Sequence, residues 1–126
     1  MVTLTESRTE VVEALAAAGL KAAEYVAETV SPPLAVVVPG EPYVSTPAGS
    51  VPFGHYQINL SVLLIAGKGT NKATAEWIDT AVLTVIDALD DTDFDLTEVS
   101  QPGQVQLNGS TYLGVVLSIV LTARLG

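Results

Sequence analysis

The residue types that most often do chemistry in proteins are scarce in this sequence. It contains one histidine, His55, and no cysteine. A zinc site of cysteines and histidines is therefore excluded, and so are disulfide bonds and thiol chemistry. No Gly-x-Ser-x-Gly segment supplies an activated serine for His55 to assist. We expect His55 to be a packed or exposed residue at the start of a strand, without a catalytic role.

Two segments resemble parts of ligand-binding loops. Residues 67–70 read Gly-Lys-Gly-Thr, but a phosphate-binding loop needs Lys followed directly by Ser or Thr, after an earlier Gly. Asp91, Asp93 and Asp95 alternate as at the start of a calcium loop, yet the sixth and twelfth loop positions are here Leu and Pro in place of the required Gly and Glu. We therefore expect a plain strand-to-helix turn, an acidic solvated turn, no cofactor and no bound metal.

Composition limits the remaining functions. The 126 residues include 48% hydrophobic and 15% charged residues, which predicts one folded domain over residues 1–126, part of whose surface is covered by neighbours. The net charge is −9, from 5 basic and 14 acidic residues, which disfavours a nucleic-acid-binding patch. The longest strongly apolar segment, Leu113–Leu121, is too short to cross a membrane as a helix. The protein reads as soluble, made in the cytoplasm and not associated with membranes.

Two segments have helical periodicity. In the segment Thr3–Ala18, Thr3 and Glu6 have the spacing of a capping box, and Gly19 suits the position after the last turn. Lys72–Leu89 has the stronger apolar face, and Asn71 or Thr70 can cap its first turn.

The other segments predict strands. Phe53–Ala66 alternates apolar and polar residues, as expected for an antiparallel strand with one buried face. Gln104–Leu107 and Thr111–Leu125 flank Asn-Gly, a strong hairpin signal. Further strands are expected at Leu34–Val38, ended by Pro39-Gly40, at Phe94–Val99 and, in an ambiguous segment, at Ala22–Val26. Residues 41–52, rich in Pro and Gly, predict a long loop.

This order predicts an α+β fold, written α, β, β, α, β, β, β, with a mixed, mainly antiparallel sheet and two helices on one face. The outward positions of the longest strands are also apolar and need a cover, which an identical subunit could provide. The candidate interface residues are Tyr43, Phe53, Tyr56, Leu63, Ile65, Val116 and Val120. The acidic residues expected in solvent, on the rim or lumen of an assembly, are Asp90, Asp91, Asp93, Asp95 and Glu98.

The running pattern is more specific than any single motif. The chain reads "VEALAAAGL", then "EYVAETVSPPLAVVVPGEPYV", the long strand "FGHYQINLSVLLIAG", the helix "AEWIDTAVLTVIDAL" and the hairpin "VQLNGSTYLGVVLSIVLTA". Over nearly its whole length it resembles the tail terminator (tail completion) proteins of long-tailed phages with non-contractile tails. The most specific piece runs from Pro32-Pro33 to "VVVPGEPYV".

The resemblance implies a non-enzymatic virion protein of the head–tail junction. Its subunits would form a six-membered ring that caps the tail tube, stops its polymerisation and meets the head connector. Its partners would be further copies of itself, the major tail tube protein and the connector or neck protein, and DNA would pass through the ring without specific binding. An acidic lumen would then repel phosphate.

Two alternatives remain open. A head completion or neck protein is similarly small and ring-forming. A small-molecule-binding or enzymatic α+β dimer belongs to a different class and would need a concave polar pocket.

Overall fold

The computed structural model describes residues 3–24, 31–46, 54–68, 71–107 and 109–124. Its elements in chain order are α1 (Leu4–Ala17), β1 (Ala22–Ala23), β2 (Leu34–Ser45), β3 (His55–Lys68), α2 (Lys72–Leu89), β4 (Asp95–Val99), β5 (Gly103–Leu107) and β6 (Ser110–Arg124). The predicted α+β class is confirmed. Three described strands separate the two helices, whereas the predicted order α, β, β, α, β, β, β counted two and did not include the ambiguous segment at Ala22–Val26.

The strands make one mixed, mostly antiparallel sheet in the order β1-β2-β3-β6-β4. Among the described strands, β1 and β2 are the one pair that runs parallel. β3 and β6 pair along nearly their whole lengths. On its other edge, β6 pairs first with β5 and then with β4, so these two short strands occupy successive stretches of the same edge.

The main hydrophobic core lies between the two helices and one face of the sheet. β3 contributes Ile58, Leu60, Val62 and Leu64, each at most 1% exposed. β6 contributes alternate residues from Leu113 to Leu121, and both helices add side chains to the same cluster. The period-2 alternation in both strands was predicted, and it decides which sheet face the helices cover.

Both helix starts follow from local hydrogen bonding. The Thr3 side chain accepts from the Glu6 amide at 3.1 Å, and the Asn71 side chain accepts from the Thr74 amide at 3.0 Å. Each cap is completed by a side chain that returns to the cap residue's own amide. Gly19 follows α1 at a φ of 96°, in the left-handed region that favours glycine.

The prediction for β2 was wrong. Pro39-Gly40 does not end the strand, which continues to Ser45 with a register shift between Pro39 and Val44. The physical reason is that β1 covers only Ala35 and Val36, so the outer side of β2 beyond them lies at the edge of the described sheet. A proline, which lacks an N–H, is tolerated on such an edge. The predicted loop therefore overlaps β2, and residues 47–53 lie outside the described residues.

The remaining boundaries agree within two residues where they are described. The hairpin is confirmed, because Leu107 pairs with Ser110 and Gly109 has a φ of 80°. The strand expected at Ala22–Val26 is present only as the two-residue β1: it ends at Ala23, Glu24 is already outside it, and residues 25–26 lie outside the described residues. In the described part of the chain, no helix is long and apolar enough to span a membrane.

Candidate interaction surfaces

The face of the sheet opposite the helices, here called the open face, begins with an apolar cluster at one end. Val36 and Ile65 are fully buried and Tyr112 is nearly so, with Leu63 and Leu107 packed against them. This corrects one expectation: Ile65 was predicted to need cover from a partner, but Val36 and Tyr112 of the same chain already cover it. Ile65 is therefore part of the chain's own core.

The other candidate interface residues differ in their exposure. Tyr43 is half-buried and packs partly against the main core. Tyr56 is 43% exposed. Leu63, Val116 and Val120 are half-buried on the open face. Phe53 lies outside the described residues.

In the middle of the open face the apolar cluster gives way to a polar groove of about 310 Å³. Asn59 Nδ2 donates to Ser45 Oγ at 3.1 Å, and Ser45 Oγ lies 3.3 Å from Gln57 Oε1, to which it donates. Ser61 and Ser118 face each other across β3 and β6. Among the described residues, the charged ones that line the groove are Glu41 and Glu98, so this part of its lining is neutral to acidic.

The predicted acidic cluster lies in solvent. Asp90, Asp91 and Asp93 are exposed in the turn after α2, and Asp95 and Glu98 are exposed on β4. The turn itself is held by Thr92, whose hydroxyl donates to the Leu89 carbonyl at 2.9 Å and accepts from the Phe94 amide at 3.1 Å. Phe94 is 3% exposed and packs into the core. A buried anchor thus separates an acidic turn from an acidic strand.

A second groove, of about 370 Å³, lies between α2 and the β4–β5 connection and is here called the edge groove. Its floor includes Ile78 and Val115, each 2% exposed. Its walls include Leu83, Val99 and Pro102. Leu83 is 65% exposed and Val99 is 39% exposed, so the groove presents apolar side chains directly to water.

Sequence reasoning missed the edge groove. Leu83 stands on the side of α2 away from the predicted core stripe, and Val99 is the last residue of a short strand. The available signal was a large aliphatic residue at an outward helical position, which single surface residues commonly show without meaning. Only the placement of β4 beside α2 brings the two side chains together.

The side chains that could do chemistry lie apart in the fold. His55 is half-buried at the start of β3, and its Nδ1 is buried with no hydrogen-bond partner in the described part of the protein. Lys68 is exposed at the end of β3, and residues 69–70 lie outside the described residues. Among the described residues, no group of three or more acidic or histidine side chains is arranged to hold a metal ion.

Comparison with models of known protein families gives no match to this chain, and comparison with curated proteins gives none either.

Proposed function

We propose that the chain is a structural subunit of a phage tail. Copies of it assemble into a closed ring that caps the tail tube, stops its polymerisation and joins the tail to the head connector. In this proposal the subunit has no catalytic role, and its work is done by the surfaces that contact neighbouring copies, the tube and the connector.

The observation that supports this best is the unequal covering of the sheet. Both helices pack on one face, and among the described residues neither helix covers the other face. There Leu63, Val116 and Val120 stay half-buried. A monomer gains nothing from leaving aliphatic side chains partly in water, whereas a neighbouring subunit would remove about 25 cal/mol of unfavourable free energy per Å² of apolar surface covered.

The proposed contact is head-to-tail, in which the apolar end of the open face on one copy meets a different surface of the next copy. Such heterologous contacts close into rings when the rotation permits.

The charge distribution supports the passage of DNA. The net charge is −9, and all five residues of the acidic cluster, 90, 91, 93, 95 and 98, are exposed. Placed on the bore or the rim, these carboxylates would repel phosphate and keep DNA from adhering.

A cryo-EM map of the assembled particle tests the proposal. The expected result is a six-fold ring of this chain at the end of the tail tube, with negative potential in its bore. A monomer or a two-fold dimer at that position would overturn the ring. A basic bore would overturn the DNA argument and leave the ring intact.

A pair of matched variants tests which face makes the contact. Val116→Glu places a charge on the open face, and Thr80→Glu places the same charge on an exposed position of α2. We expect Val116→Glu to abolish ring formation and Thr80→Glu to preserve it. The measurement is the mass of the assembly that each variant forms, by native mass spectrometry. Equal assembly of both variants would show that the open face is not the interface.

A further inference from the structure

We infer that the free edge of β4 is a strand-addition site for another protein: an extended segment that alternates apolar and basic residues pairs with β4 and fills the edge groove. The inference does not depend on the ring, because it rests on the backbone edge of β4 and on the edge groove. The two carboxylates that it uses, Asp95 and Glu98, also face the open side of the sheet.

The first observation is an available backbone edge. β4 pairs with β6 on one side, and within the described ranges the order of the sheet ends at β4. All five residues of β4 are exposed. Every second N–H and C=O of such a strand points away from the sheet and can pair with an added strand.

The second observation is the apolar surface beside that edge. Leu96 and Val99 pair with Ile119 and Leu117, which face the helices, so their side chains lie on the α2 side of β4. Leu96 is 36% exposed, Val99 is 39% exposed and Leu83 on α2 is 65% exposed. Three of the four most exposed large hydrophobic side chains of the described chain therefore border this one edge.

The third observation is the charge on the opposite side. Asp95 and Glu98 pair with Val120 and Ser118, so they face the open side of the sheet. At its register shift β4 has one extra residue, Thr97, between Leu96 and Glu98. A strand that crosses this shift as β6 does would place alternate side chains next to Leu96 and Val99, and the intervening side chains next to the two carboxylates. Cross-strand neighbours of opposite charge are favourable and like charges are not, so the intervening residues should be Lys or Arg.

A second copy of this chain does not fit. The sequence has only 5 basic residues, and nowhere do two of them lie two positions apart. No segment of the chain can therefore set alternating basic residues against Asp95 and Glu98. The occupant is a strand of a different protein.

The outer edge of β2 is a poorer site for the same partner. Pro39 and Pro42 lie within it and lack the N–H groups that an added strand would need. β4 contains no proline. Its shortness, its acidic residues and the register shift between Leu96 and Glu98 also discourage pairing with neutral or acidic strands, which makes the edge selective for a basic one.

The test uses the full chain and a short capped peptide that alternates Lys and Val, with a Glu–Val peptide as the matched control. We expect the Lys–Val peptide to bind at concentrations below about 1 mM, to bind more weakly as salt rises, and to slow amide hydrogen exchange at residues 95–99. Absence of binding by the Lys–Val peptide, equal binding by the Glu–Val peptide, or protection of β2 in place of β4 would each overturn the inference.

Matched variants locate the site. Glu98→Lys should weaken the Lys–Val peptide at least about threefold by replacing an attraction with a repulsion, whereas Glu13→Lys, an equal charge change on an exposed position of α1, should not. Leu83→Ser changes a side chain that is 65% exposed and should also weaken binding, while Tyr56→Ser should not. Equal effects of the paired variants would place the peptide elsewhere. Protection of residues 95–99 in assemblies of the chain alone would show that a second copy takes the edge.

The outcome is separable from that of the ring proposal. The ring is read from the particle map and the mass of the assembly, and strand addition is read from exchange at β4. If the ring proposal and the strand-addition proposal both hold, β4 faces a partner on the rim of the ring and does not line the bore.

Discussion

Replacing Gly40 with alanine should destabilise the protein through a contact with backbone that cannot move aside. Gly40 lies in β2 at the register shift, beside the polar groove. A Cβ added to it would lie 2.9 Å from both the carbonyl carbon and the carbonyl oxygen of Asn59, and 3.1 Å from the Asn59 Cβ. Asn59 is in the middle of β3 and pairs with Val120 of β6, so the clash pushes against the centre of the sheet.

The expected magnitude follows from overpacking. Forcing a methyl group into filled space costs about 1–3 kcal/mol. For a chain of this length, 1 kcal/mol lowers the Tm by roughly 3–6 °C. We therefore expect Gly40→Ala to melt about 3–18 °C below the wild type.

The control is Gly103→Ala in β5. There the nearest atom to an added Cβ is the Gln101 carbonyl oxygen at 4.0 Å, so alanine fits, and the loss of unfolded-state freedom should leave stability unchanged or raise it by up to about 1 kcal/mol. Thermal unfolding by circular dichroism and urea unfolding measure both variants. If Gly40→Ala melts with the wild type, or if both variants lose the same stability, the steric explanation is wrong.

Three further predictions concern stability. Asn71→Ala should lower the free energy of unfolding by about 1 kcal/mol because the α2 cap is lost, and Asn71→Ser, which keeps an acceptor, should lower it less. Urea unfolding that ranks the two variants the other way would contradict the capping role. Because Ile65 is fully buried, Ile65→Ala should lower the free energy of unfolding by about 2–5 kcal/mol, and Val116→Ala should lower it clearly less. Similar losses for the two variants would mean that the open-face cluster is not a core. Glu76→Gln should change the unfolding free energy by less than about 0.5 kcal/mol, because the Lys72–Glu76 pair spans 3.7 Å between side chains that are 89% and 65% exposed. A larger, salt-sensitive loss would show that this pair is stronger than its exposure implies.

The elements that were predicted correctly are those specified by residues close to one another in sequence. The bounds of α2 were predicted to the residue, because an N-cap and a strong apolar face agree with each other. The β5–β6 hairpin followed from Asn-Gly between alternating runs. These features depend on neighbours within a few residues, which a single sequence displays directly.

Features that depend on distant partners were missed. The continuation of β2 through Pro39 depends on how little of its outer side β1 covers. The burial of Ile65 depends on Tyr112, which lies more than forty positions along the chain and reaches it only through the register of β3 and β6. The edge groove likewise depends on β4 lying next to α2, which no local pattern specifies.

The position of β6 in the chain has a consequence for the order of folding. β6 is the neighbour of β3, β4 and β5, yet it follows all of them in sequence. At the break between β4 and β5, Ser100 also relies on it: the Ser100 amide donates to the Val116 carbonyl at 2.8 Å, and the Val116 amide donates to the Ser100 hydroxyl at 2.9 Å. During synthesis, the helices and the β2–β3 pair can form early, but β4 and β5 have no strand to pair with until β6 has left the ribosome. The second half of the sheet should therefore form late and together, and until then the apolar edge of β3 is open to chaperones or to aggregation.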